Sequence, residues 1–307
     1  MAGDPLIWLA TSEGLVVVDL AGETVEQHFE ARPVTSVDAR AGTTVAAVEG
    51  GGVQRRSPGG DAWQSLGLET SRIWVVALAA DGTAYAGLEP AALWRLGSGP
   101  AAEIDLSKVP NHDFWHSPWG PADLNSVVVD GSRLVTGIEV GGVAVSTDGG
   151  DSWDSRNEGL YEDVHHVVTD GERFYATTGM GFHRSIDEGC TWVWENDGVD
   201  RGYTQGLALC GDRLVMSSAS GPPPLWEPDG PDAAIFVADA ATRPARWEIA
   251  CEGFGGNIER QALQASGAVV VAGTTAGELI VSTDGADSFT VVREGLPPIT
   301  SVALSPA

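Results

Sequence analysis

Apolar residues run along this chain in short stretches of strand length, each broken by a Gly- or Asp-bearing turn. Ser126-Val-Val-Val-Asp leads into one turn and Arg133-Leu-Val-Thr-Gly leads out. His166-Val-Val-Thr-Asp and Arg173-Phe-Tyr-Ala-Thr-Thr flank the next in the same way. β-Branched and aromatic residues dominate the stretches and no long helical period is sustained, so the pattern predicts strands. The turn glycines Gly42, Gly82, Gly131, Gly171, Gly211 and Gly267 mostly recur about 40 residues apart, the period of a four-stranded propeller blade.

That period divides the chain into blades at 33–68, 71–109, 122–160, 163–199, 203–251 and 259–296. Two pieces are left over. Ile299–Ser305 reads as an inner strand, and Pro5–Glu30 reads as the three outer strands of the same blade. The expectation is an all-β, seven-bladed β-propeller, one domain over residues 1–307, whose terminal strands close one blade and leave no open sheet edge.

A second repeat runs in phase with the first. Ser146-Thr-Asp148-Gly-Gly150-Asp-Ser-Trp153, Ser185-Ile-Asp187-Glu-Gly189-Cys-Thr-Trp192 and Ser282-Thr-Asp284-Gly-Ala-Asp-Ser-Phe289 occupy the same place in their blades. A degenerate copy spans Ser57 to Trp63. The Asp carboxylate suits backbone N–H groups of its own turn, the Gly supplies positive φ, and the aromatic folds back on the hairpin. The pattern Ser-x-Asp-x-Gly-x-x-Trp resembles the Asp-box, or BNR, repeat of β-propellers, a superfamily with sialidase-like and glycosyl-hydrolase-like members. Sorting-receptor ectodomains and photosystem-assembly factors share that architecture, so the resemblance implies the fold, and function has to come from a site. The turn chemistry makes these aspartates structural rather than catalytic.

Composition narrows the partners. Acidic residues number 43 against 17 basic ones, a formal net charge of −26, and Lys108 is the sole lysine. Such a surface repels phosphate backbones and anionic lipid, so no nucleic-acid or membrane partner is expected. The three cysteines, Cys190, Cys210 and Cys251, give no disulfide framework and no metal knuckle. The N-terminus has no basic region ahead of an apolar run, so no signal peptide is read and a cytoplasmic location is expected.

In a propeller the connections into the inner strand and those between the second and third strands share one face. On that face the register places Glu49, Glu89, Asp123, Glu139, Asp163, Tyr203 and Glu259. Glu139, Asp163 and Glu259 are the best-placed acids for glycosidase-type chemistry, which needs paired carboxylates. Tyr203 and Glu259 could mimic the Tyr/Glu pair of sialidases. The Arg-Ile-Pro motif of that family is absent, however, and Arg133, Arg173 and Arg213 fall in turns on the opposite face, where salt bridges are expected.

Two departures from the repeat also fall on the first face. Ser107–Pro121 carries His112, His116, Trp115 and Trp119, and the insertion Gly221–Asp232 carries Trp226. Both are read as walls of one pocket, with a hydrophobic plug packed on the propeller as the alternative. Asn125, His165, Gln205 and Gln261 share one register position and point into it. Trp115, Trp119, Asn125, Gln205, Trp226 and Gln261 are therefore expected to contact ligand, and Glu139, Asp163, His165, Tyr203 and Glu259 to carry any catalysis. Imidazoles next to carboxylates suit a divalent metal, held by His112, His116 and His165. The leading reading is a propeller that binds a glycan or other small polar molecule. A hydrolase or lyase, metal-dependent in one form, is the second reading, and a scaffold for a protein partner the third.

Overall fold

The computed structural model describes residues 5–97, 99–117, 120–223 and 230–305. Its strands form seven four-stranded antiparallel sheets. The inner strands are Val34–Arg40, Arg72–Leu78, Leu124–Asp130, Val164–Thr169, Tyr203–Cys210, Leu263–Ser266 and Ile299–Ser305. Each contacts the next, and Leu263–Ser266 contacts Ile299–Ser305, which in turn contacts Val34–Arg40, so the ring closes. The protein is a seven-bladed β-propeller, as expected. Ile299–Ser305 pairs with Leu6–Thr11 and completes the blade begun at the N-terminus. Blades are named here by order from that closing blade, blade one; blade two begins at Val34 and blade seven ends at Arg293.

The apolar stretches look continuous because each blade is buried on both faces. One core cluster joins Tyr85, Leu93 and Ile104 of blade three to Leu124, Leu134 and Trp153 of blade four. Another joins Tyr175 and Phe182 of blade five to Leu214, Phe236 and Trp247 of blade six. The core is therefore a series of wedges between neighbouring blades.

The inner strands share a device that sequence patterning hides. In six of the seven blades one extra residue bulges out of the pairing with the second strand: Thr300, Thr35, Trp74, Asn125 and His165, and the pair Gln205-Gly206 facing Ser217. A bulge re-aims a side chain and frees a backbone group. Here both effects serve the ring. Thr300 Oγ1 donates to Val34 O at 3.1 Å, Thr35 Oγ1 donates to Ile73 O at 2.8 Å, and His165 Nδ1 bonds Thr204 O at 2.5 Å. The residue after the bulge takes the next blade's amide: Val37 N donates to Ser301 Oγ at 3.1 Å, Val76 N to Ser36 Oγ at 3.0 Å, Val167 N to Ser126 Oγ at 3.1 Å and Leu207 N to His166 Nδ1 at 3.3 Å. Deeper in, Asp38 Oδ2 accepts from Leu78 N at 2.7 Å.

The three motif turns are built alike. Ser146 Oγ donates to Asp148 Oδ1 at 2.8 Å, and that oxygen accepts Ser152 N at 2.9 Å. Ser185, Asp187 and Thr191 repeat the pattern at 2.7 and 2.9 Å, and Ser282, Asp284 and Ser288 at 2.8 and 3.0 Å. These bonds hold the Asp148 and Asp187 carboxyls down at about 2. Trp153 and Trp192 are buried beside them. Ala286 stands where the other copies have Gly150 and Gly189, and adopts φ +69°, a strained value for a residue with a β-carbon.

Two outcomes follow. Removing residues from Ile299 onward exposes the apolar edge of blade one and should abolish a cooperative thermal transition; a truncated protein that melts with the full chain would contradict ring closure. Asp187→Ala should lower Tm by a few degrees while leaving the mouth on the opposite face unchanged, measured by calorimetry on the folded protein.

Candidate functional site at the channel mouth

One register position, the first residue of the inner strand or its equivalent, carries Arg72, Asp123, Asp163 and Tyr203 in blades three to six. Their neighbours Ile73, Leu124, Val164 and Thr204 pair with the second strand at equivalent points. A second position, just past the second strand, carries Glu49, Glu89, Glu139 and Gly179. The amides of Glu49, Glu139 and Gly179 each donate to the carbonyl of Pro33, Asp123 and Asp163 at 2.9 Å. The fold thus delivers a ring of charged side chains to one mouth.

Arg260, between Glu259 and Gln261, reaches across that mouth. Its Nη2 lies 2.7 Å from Glu139 Oε2, and Asn125 Nδ2 donates to the same oxygen at 3.0 Å. Arg72 pairs with Glu89 Oε2 at 2.6 Å, and Trp74 Nε1 donates to that oxygen at 3.2 Å. Both guanidiniums lie against the Trp74 indole, 4.9 Å for Arg72 and 5.7 Å for Arg260. Arg72, Trp74, Glu89, Asp123, Glu139 and Arg260 line a cavity of 250 Å³, walled on one side by Ser117, Gly120 and Pro121.

The two equivalent aspartates meet opposite environments. Burial, then the Glu89 and Glu139 charges, push the Asp123 carboxyl up to about 6. Burial also works against ionised Asp163, but the His165 ring and the Arg260 charge outweigh it and hold its carboxyl below the usual range. His165 Nε2 stands 3.6 Å from Asp163 Oδ1. Since Thr204 O can only accept, His165 Nδ1 donates that bond and leaves Nε2 facing the carboxylate. Asp123 Oδ1, Asn125 Oδ1, Asp163 Oδ1, His165 Nε2 and Arg260 Nε are buried with no hydrogen-bond partner among the described residues. Each such atom costs about 1–3 kcal/mol.

The structure gathers most of the expected residues. Glu139 lines the cavity, and Asp163 and His165 adjoin it. Tyr203 lies edge-on to His165, ring centroids 4.8 Å apart, and burial, reinforced by the Asp163 and Glu139 charges, pushes its phenol up to about 12 despite Arg260. Glu259 is half-buried beside Arg260, and burial raises its carboxyl. Gln205 is buried against His165, and Gln261 bonds Asn125 O and lines the channel below. Arg133 and Arg173 pair with Asp130 and Asp170 in their turns at 3.1 and 2.5 Å, as expected.

Other expectations are corrected. Trp115 packs on His112, centroids 4.9 Å apart, and against Gly141, so it plugs blade four and does not line the cavity. His112 is half-exposed, His116 is exposed and bonds Phe114 O at 3.0 Å, and His165 is buried on Thr204 O. The three histidines therefore do not converge, and among the described residues no group of three or more His, Cys, Asp or Glu is placed to hold a metal ion. Trp119 and Trp226 lie outside the described residues, as does half of the insertion around Trp226. His166, not expected at the site, lines the channel, where burial lowers its ring to about 4. Arg260, Arg72 and Trp74 went unnoticed in sequence; the only signal was their place beside residues already placed at the inner-strand starts.

The raised Asp123 carboxyl sets a pH dependence. Its folded value lies above the unfolded 3.8, so its contribution is fully present below 3.8 and is lost as pH rises through 6. Asp123→Asn should therefore stabilise the protein above pH 6, by about 1 kcal/mol once partial exposure is allowed for. Urea melts at pH 7 and pH 4 should show the gain at the higher pH alone; an equal effect at both would contradict the electrostatics.

Among known proteins the likeness lies in the fold. No protein-family model matches the chain, and no curated protein sequence matches it. An ancestral GH74 enzyme superposes with a TM-score of 0.65 at 16% identity, over 97% of this chain and 40% of that one. A GH74 xyloglucanase from Xanthomonas campestris gives 0.62 at 18%, over 94% and 47%. YCF48 from Cyanidioschyzon merolae gives 0.60 at 14%, over 86% and 87%. The chain thus spans less than half the length of the GH74 structures, and these comparisons establish the propeller fold.

Proposed function

We propose that the mouth binds a neutral, hydroxyl-rich ligand, a single sugar ring or glycan terminus, between Arg72, Trp74, Asp123, Glu139 and Arg260. The observation that carries this reading is one small cavity lined by two guanidiniums, three carboxyls and an indole. Sugar hydroxyls both donate and accept, and so match carboxylates and guanidiniums at once. The guanidiniums are already balanced by Glu89 and Glu139, which disfavours an anionic ligand. At 250 Å³ the space is smaller than the usual small-molecule range of about 300–1,000 Å³, which suits one ring. The GH74 likeness agrees with a glycan but does not by itself supply one.

A catalytic reading is favoured by one feature. Asp123 is held protonated to near neutral pH beside Glu139, which Arg260 and Asn125 bind through its carboxylate. A proton donor next to an ionised carboxylate is the pairing that glycoside hydrolysis uses. In that reading Asp123→Asn removes turnover of an aryl glycoside and keeps binding.

Calorimetric titration with glucose, xylose, galactose and mannose tests the binding reading. At least one should bind, and Arg260→Met should weaken it tenfold or more, about 1.4 kcal/mol. Absence of binding to every sugar, or a folded Arg260→Met protein that binds as the parent does, would contradict it.

A further inference from the structure

Blade five breaks the pattern of its neighbours. Glu49, Glu89 and Glu139 fill one position in blades two to four, but blade five has Gly179 there. A β-carbon at Gly179 would lie 2.3 Å from Asp163 Oδ2 and 3.5 Å from the Tyr161 ring, so the missing side chain makes room for both. Asp163 turns Oδ1 towards the fully buried His165 and leaves Oδ2 on the rim side. Beyond it the rim is apolar and exposed: Tyr161 at 44%, Met180 at 59% and Trp194 at 61%. Trp194 Nε1 donates to Met180 O at 2.8 Å, which fixes the ring and leaves the indole to offer its face. A carboxylate, a tyrosine, a thioether and an indole thus run outward from the mouth.

We propose that blade five carries a second sugar subsite, in which Asp163 Oδ2 accepts ligand hydroxyls and Tyr161, Met180 and Trp194 support the apolar face of the ring. A pyranose ring has a hydroxyl edge and a C–H face, and this rim presents an acceptor beside aromatic surface to match. His165 acts as a positioning residue, because its unpartnered Nε2, wholly buried, faces Asp163 Oδ1. The subsite rests on the reading of the mouth as a sugar site and extends it: the ligand is an oligosaccharide, with one ring in the cavity and a further ring on blade five.

Glucose, cellobiose and cellotetraose titrated into the parent, Trp194→Ala, Tyr161→Ala and Arg260→Met proteins separate the two claims. The parent should bind the tetraose at least tenfold more tightly than glucose. Trp194→Ala and Tyr161→Ala, both exposed substitutions, should erase that gain and leave glucose binding unchanged, while Arg260→Met weakens both. Equal length dependence in all proteins overturns the subsite while the mouth reading stands. Loss of glucose binding in Trp194→Ala also overturns it, since the two sites would then be one. Failure of the parent to bind any of the three overturns the subsite as stated, while the mouth reading still stands or falls on the four monosaccharides. For His165, the readout is the Asp163 carboxyl resonance: His165→Gln should move its titration upward, and an unshifted titration removes the positioning role.

Discussion

The channel-side N–H and C=O groups of an inner propeller strand have no sheet partner. This chain answers with an irregularity in six of its seven inner strands. The bulge turns a side chain towards the next blade's carbonyl, and the residue after it accepts the next blade's amide. Such bonds are worth about 1 kcal/mol each in net terms, and leaving the groups unpaired costs more. The same kink that joins the blades also aims Trp74, Asn125 and His165 at the mouth. Structure and candidate site therefore share their residues, and Ser36 or Ser126 cannot be judged by sequence as either one alone.

The mouth is where charged groups crowd together. Away from it, Arg184 and Glu195, both buried between blades five and six, pair at 3.1 Å, although Arg184 Nη2 has no hydrogen bond among the described residues, and the motif aspartates are held by their own turns. At the mouth, Asp123 is held near two other carboxylates at the expense of stability, and several buried atoms lack partners. Carboxyls crowded together at the cost of a raised proton affinity are a physical signature of binding or chemistry.

The fold was legible because its signals are local and repeated. Turn glycines gave the period, the Ser-x-Asp turns gave the phase, and the remainder at each end gave the closing blade. The site was legible only where it followed that register: Glu139, Asp163 and His165 could be placed because each sits at a counted position. Arg260 could not be, since its value lies in crossing the channel to a glutamate 121 residues earlier in the chain, and no local pattern records that reach. Trp115 and the pair His112 and His116 misled for the opposite reason. They are rich in binding chemistry, but the loop folds back on blade four, where Asn111 Nδ2 donates to Gly141 O at 3.0 Å and Val109 is buried. Composition argued against disorder in the loop, and only packing shows which way its described residues face.

The central claim is that the carboxyls and guanidiniums lining the mouth meet a ligand's hydroxyls. A high-resolution crystal structure of the protein soaked in cellotetraose addresses it directly. The account predicts a sugar ring in the cavity, with hydroxyl oxygens within hydrogen-bond reach of the Asp123, Glu139 and Arg260 side chains, and density continuing towards Asp163. A saturated soak that leaves the mouth holding solvent alone, or places the sugar on the face of the Asp148 and Asp187 turns, would contradict it.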